Sequence, residues 1–203
     1  MRRAFQLILL LPLALALGAC WPRADNPIAA GANEDKSIEG AWVGRLGFDT
    51  GDDIADTPYN SPAYVTITRT GPGEYQARVL RAVDGEQTFA KFRVLRSEIG
   101  GTGFLSAALL DLSNAPVDGN LNGYALLRYE IVEGRLRLYL MDSTVAADAI
   151  ASGELQGSVA GSPYFPDIRI TSSTEEITAF VADGDPSTLF EFDAGDLERT
   201  RLP

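Results

Sequence analysis

The sequence predicts a mainly β protein of the β-rich α+β class. An antiparallel meander forms a curved sheet or a barrel of about eight strands, with two short helices in the C-terminal third. Three observations carry this. Apolar and polar residues alternate with period two through seven consecutive segments between residues 40 and 141. Tight-turn residues join several of these segments, as in Gly71-Pro72-Gly73, Asp84-Gly85, Gly100-Gly101, Asp118-Gly119-Asn120 and Glu133-Gly134. After residue 141, two stretches change to helical spacing behind capping residues.

The first strand is read from "EGAWVGRLGF", where Trp42, Gly44, Leu46 and Phe48 share one face while Val43 and Arg45 take the other. The same alternation predicts strands over 63–69, 75–81, 88–96, 104–112, 124–131 and 135–141. Asp142 and Ser143 cap a helix to about residue 152, with Val145, Ala149 and Ile150 near one face and Gly153 as the stop. Strands are expected over 154–159 and 168–171. Ser173-Thr174-Glu175-Glu176 is a capping box that opens a second helix, whose Ile177, Phe180 and Val181 share a face until Gly184 and Pro186 end it. The closing "DLERTRLP" reads as a polar tail.

The N-terminus belongs to a different grammar. Arg2 and Arg3, a leucine-rich run from Leu7 to Leu17 and the small residues Gly18 and Ala19 form an export signal over 1–19. Its apolar run is shorter than the ~18 residues a spanning helix requires. Leu17-Gly18-Ala19-Cys20 resembles the lipobox of bacterial lipoproteins, which implies that Cys20 carries a diacylglycerol thioether and begins the mature chain. Two or three acyl chains at ~0.8 kcal/mol per buried methylene hold such a protein on a bilayer. Trp21 in place of aspartate favours the outer membrane, facing the periplasm, in a diderm bacterium. Met-Arg-Arg-Ala-Phe partly resembles a twin-arginine signal; the leucine-rich core favours the general secretory route. Residues 20–36, rich in Pro, Ala and Asn without periodicity, are expected to be a lipidated flexible tether, and 37–203 a single globular domain.

Composition narrows the function. At 45% hydrophobic residues the chain can bury a core, which it must do without a disulfide because Cys20 is the sole cysteine. Loss of Arg2 and Arg3 with the signal leaves 15 basic against 28 acidic residues, a net charge of −13 that repels nucleic acid and anionic membrane surfaces. The absence of histidine excludes Ser-His-Asp triads, Cys-His pairs and histidine zinc sites. Lysine occurs only at Lys36 and Lys91, and no Ser-x-x-Lys spacing exists. Catalysis, if any, falls to carboxylates, tyrosines or arginines.

Two sites and two resemblances remain. The loop "DTGDDIADTPYN" offers Asp49, Asp52, Asp53 and Asp56 as a calcium set, since hard cations take several oxygens at close range, although its spacing is not that of an EF-hand. Phe48-Asp49-Thr50-Gly51 resembles the active-site turn of aspartic proteases, in which two aspartates share a proton. A second such turn is absent, so a dimer would have to supply it. Gly40-Ala41-Trp42 is similar to the Gly-x-Trp of lipocalin-like barrels, in which the tryptophan packs across the closed end; no Thr-Asp-Tyr turn accompanies it. The pattern from "YLMDSTVAADAIASGELQG" to "ITSSTEEITAFVADGDPSTLF" resembles uncharacterised bacterial envelope proteins and implies no activity.

The aromatic set Tyr64, Tyr75, Phe89, Phe92, Phe104, Tyr124, Tyr129 and Tyr139 is expected in core and sheet surface. Arg69, Arg78, Arg81, Arg93, Arg128 and Arg137 are expected to face solvent as partners of the acids. The reading that follows is a lipid-anchored, non-catalytic envelope module, without a cofactor unless calcium, that binds a small apolar molecule or an envelope protein. The alternative is a carboxylate hydrolase, either a peptidase at Asp49 or a glycosidase using paired acids.

Overall fold

A computed structural model of the chain describes residues 21–31, 35–47, 62–83, 86–113, 122–162 and 165–200. Its strands are β1 (Arg23–Ala24), β2 (Gly40–Leu46), β3 (Ala63–Gly71), β4 (Glu74–Val83), β5 (Glu86–Ile99) and β6 (Thr102–Leu112), followed by β7 (Tyr124–Val132), β8 (Arg135–Leu140), β9 (Gly157–Ser162), β10 (Phe165–Ile170) and β11 (Phe192–Thr200). The helices are α1 (Ser143–Ser152) and α2 (Thr174–Asp183), with a single further turn α3 (Pro186–Leu189).

Strands β2 to β8 pair antiparallel in sequence order, and β11 returns to lie between β8 and β2. The result is a closed eight-stranded antiparallel barrel. Closure falls to the segment that reads as a polar tail, which corrects that expectation. The apolar residues β11 turns to the interior are Ala194 and Leu197, and a bulge between Asp193 and Gly195 breaks its alternation. Gly44 admits this strand: a Cβ there would lie 2.3 Å from the Asp196 carbonyl oxygen, a distance only glycine permits.

At Leu127 the partner strand β8 ends, and β7 continues beside β1 through Ala125 and Tyr124. Strand β10 joins β1 in parallel and β9 completes a hairpin, so a small side sheet grows from the barrel wall. Helices α1 and α2 cover one face of it. Asp142 caps α1 by accepting from the Thr144 and Val145 amides, and the Ser173–Glu176 capping box opens α2 as its sequence predicts.

Two cores result. Outside the barrel, Phe104 and Leu126 pack with Ile168, Ile170, Ile177 and Phe190 beneath the helices. Inside it, Trp42, Val65, Tyr75, Leu105, Leu136 and Leu197 belong to the second cluster. Each fully buried aliphatic or aromatic side chain here contributes roughly 1.5–3 kcal/mol.

The stretch expected to be a flexible tether is instead built into the fold over its described residues. Ala24 and Ile28 are fully buried in the outer core. The Ile28 amide donates to Ser106 Oγ (3.0 Å), Ser97 Oγ donates to the Ala29 carbonyl (2.5 Å), and the Gly31 amide donates to the Arg96 carbonyl (2.9 Å). Periodicity could not reveal this strap, because its polar groups pair with the barrel's outer surface one at a time and not as a ladder.

Candidate ligand-binding cavity

Alternation along each strand sends every second side chain into the barrel, and the two ends of the barrel are filled differently. At the end where β3 turns into β4 and β7 into β8, the interior is packed solid. Trp42 is fully buried there, its Nε1 donates to the Ile38 carbonyl (2.9 Å), and the Arg199 guanidinium lies 4.4 Å from its ring centre. Tyr129 crosses above Gly103, where a Cβ would come 2.5 Å from the ring.

Below these rings, a polar cluster seals the base. Tyr129 Oη donates to Asp35 Oδ2 (2.6 Å) and accepts from Arg96 Nε (2.8 Å), while Arg96 Nη2 reaches Glu98 (2.6 Å). Tyr75 Oη accepts from the Asp35 amide (3.0 Å), and Asp35 Oδ1 accepts from the Ser37 amide and hydroxyl. Burial pushes the Tyr129 hydroxyl pKa well up, and its hydrogen bond to Asp35 adds to this. Burial raises the Asp35 carboxyl, but hydrogen bonds from Ser37 and Tyr129 and the Arg96 charge together hold it below its usual value. Burial works against the Arg96 charge, but its hydrogen bonds to Tyr129 and Glu98 and the nearby Asp35 charge raise its pKa.

The other half of the barrel holds a cavity of about 230 Å³. Its walls come from all eight barrel strands, through side chains such as Val79, Phe92, Ala107, Leu127 and Leu138. It reaches the barrel rim, because Leu46, Leu112 and Leu140 at strand ends line it, together with Trp21 from the start of the strap. The connections 48–61, 84–85 and 114–121 join strands at this end and lie outside the described residues.

Polar side chains in the lining are Arg81 and Thr88, both near the rim. Arg81 donates to the Leu46 carbonyl and Thr88 Oγ1 to the Arg81 carbonyl (3.4 Å), so both are turned toward the wall's own backbone. The space between the walls is therefore apolar. Its volume lies below the ordinary ~300–1,000 Å³ of ligand pockets, which suits a small molecule or one segment of a larger one. Such a site can hold an alkyl segment or a small ring by burial alone; among the described residues its lining carries no carboxylate, and the Thr88 hydroxyl is turned to the wall's backbone.

Sequence reasoning and geometry meet only in part. Cys20 and the aspartates Asp49, Asp52, Asp53 and Asp56, with the Asp-Thr-Gly turn, lie outside the described residues. Among the described residues no cluster of three or more acidic or thiol side chains could hold a metal. Phe89 and Phe92 line the cavity, whereas Phe104 belongs to the outer core and Tyr64 stands exposed. Arg93 pairs with Glu74 (2.8 Å) and Arg137 with Glu130 (3.7 Å), as expected of outward arginines. Arg81 does not face solvent. It points into the barrel with Tyr75, Ala77 and Val79, and the strand's alternation already placed it on that face.

Trp21, Asp35 and Arg96 went unnoticed as structural residues. The available signals are a bulky aromatic in the supposed tether and, for Arg96, its place on the strand face of Phe92 and Val94. A scan against protein-family models and a search of the curated proteins both find no match for this chain.

Proposed function

We propose that the chain is a non-catalytic envelope lipoprotein, anchored at Cys20, whose barrel binds a small apolar molecule or the apolar end of a larger one. The observation that carries this reading is the aliphatic and aromatic cavity at one end of a barrel packed solid at the other. A protein that needed the barrel only as a scaffold gains stability by filling such a space, since each unfilled methyl-sized void costs ~1 kcal/mol. Apolar burial with its polar rim groups occupied favours ligands by shape and hydrophobicity and not by charge.

The test is displacement of an environment-sensitive naphthylamine dye from the purified, detergent-extracted protein by alkyl alcohols of increasing length. Binding is expected to strengthen with chain length and to level off once the cavity is full. Ala107→Phe, which projects a ring into the space, should weaken the dye at least about tenfold, the equivalent of 1.4 kcal/mol. Dye affinity unchanged by Ala107→Phe would place the dye elsewhere and remove the cavity as the binding site.

A further inference from the structure

Six large apolar side chains stand exposed among the described residues: Tyr64, Leu80, Leu110, Val132, Val159 and Phe192. Their placement is uneven. Val132 lies at the packed end and Val159 on the side sheet, but the other four lie near the end that holds the cavity. Tyr64 is the second residue of β3 and pairs with Leu80 on the neighbouring β4; Leu110 is near the end of β6, and Phe192 is the first residue of β11. With Trp21 beside β7, they distribute apolar groups around the rim instead of gathering them on one side.

The second observation concerns Trp21. Trp21 lines the rim of the cavity, and the strap runs from there along the outer wall to the packed base. In the sequence, Cys20 is joined to Trp21 by a single peptide bond. An acyl anchor at Cys20 therefore holds the mouth, and not the base, against the lipid.

From these we infer that the barrel docks mouth-first on a phospholipid bilayer, with Trp21, Tyr64, Leu80, Leu110 and Phe192 seated at its surface and the cavity opening toward the acyl chains. Resting on the apolar-ligand reading, this names the ligand class: a lipid chain that enters from the membrane without crossing water. Tyrosine and tryptophan suit the polar–apolar boundary, where their rings are buried and their polar atoms stay wet. The mature net charge of −13 makes a zwitterionic surface the matching one.

Thiol labelling tests the orientation, since an acylated Cys20 leaves the chain without another thiol. Tyr64→Cys and Leu110→Cys at the rim and Val132→Cys at the base, each exposed, would be made in the full acylated chain. Each would carry an environment-sensitive fluorophore in phosphatidylcholine vesicles with brominated acyl chains. The rim probes should shift to the blue and be quenched, while the Val132 probe stays as it is in detergent-free buffer.

Rim and base probes reporting the same surroundings, or the base probe alone quenched, would overturn the docking. Native mass spectrometry of the extracted protein tests the cavity reading separately. Bound lipid with unquenched rim probes leaves the cavity and removes the orientation; quenched rim probes with no bound lipid do the reverse.

Discussion

Tyr129 shows how much one side chain can organise at the base of the barrel. Its ring lies over Gly103 and its hydroxyl joins Arg96 to Asp35. Tyr129→Phe keeps the ring but leaves a buried guanidinium and a half-buried carboxylate short of a partner, at a cost of about 1–3 kcal/mol read from urea unfolding. Gly103→Ala forces the ring aside and should cost a similar amount through overpacking.

The two ionisations set the pH edges of this stability. Asp35 is held below its ordinary 3.8, so its contribution is complete above that pH and is lost as acid protonates it. The Tyr129 pKa is raised above 10.0, so its contribution is complete below that pH and fades as alkali rises through the folded value. The urea midpoint is expected to hold steady from about pH 5 to 9 and to fall on both sides, with a smaller alkaline fall in Tyr129→Phe.

At the scale of elements, the strap distinguishes this fold from a barrel on a loose leash. Ile28 has no exposed surface and packs with the helix-covered core, so Ile28→Ala should cost roughly 2–5 kcal/mol in thermal or urea unfolding. A tether residue would cost almost nothing. The helices were easier to foresee. Asp142 and Ser173 take the capping positions their spacing predicts, and α2 ends at Gly184 where its periodicity stops.

For the whole molecule, closure is the decisive property. Chain truncation before Phe192 removes the strand between β8 and β2, exposes two long unpaired edges and opens the cavity wall at Ala194 and Leu197. The truncated chain should lose cooperative unfolding and self-associate, as sedimentation and circular dichroism would report. A monomer with a sharp transition would show that the seven remaining strands close by themselves.

The sequence by itself determined the strands from 40 to 140 and the two capped helices, because alternation and capping are local properties written in adjacent residues. It also limited the chemistry, since a chain without histidine has no triad to assemble. Only the tertiary structure decided that the barrel closes through β11, whose two inward apolar residues and bulge give a weak period-two signal. It alone decided that residues near Trp21 and Ile28 belong to the fold, because their partners lie about 70 to 150 positions away and leave no periodicity in the strap. The cavity belongs to the same class. Alternation names the side chains that face inward, but whether eight inward faces fill the barrel or leave room depends on their summed volume against a radius that closure fixes.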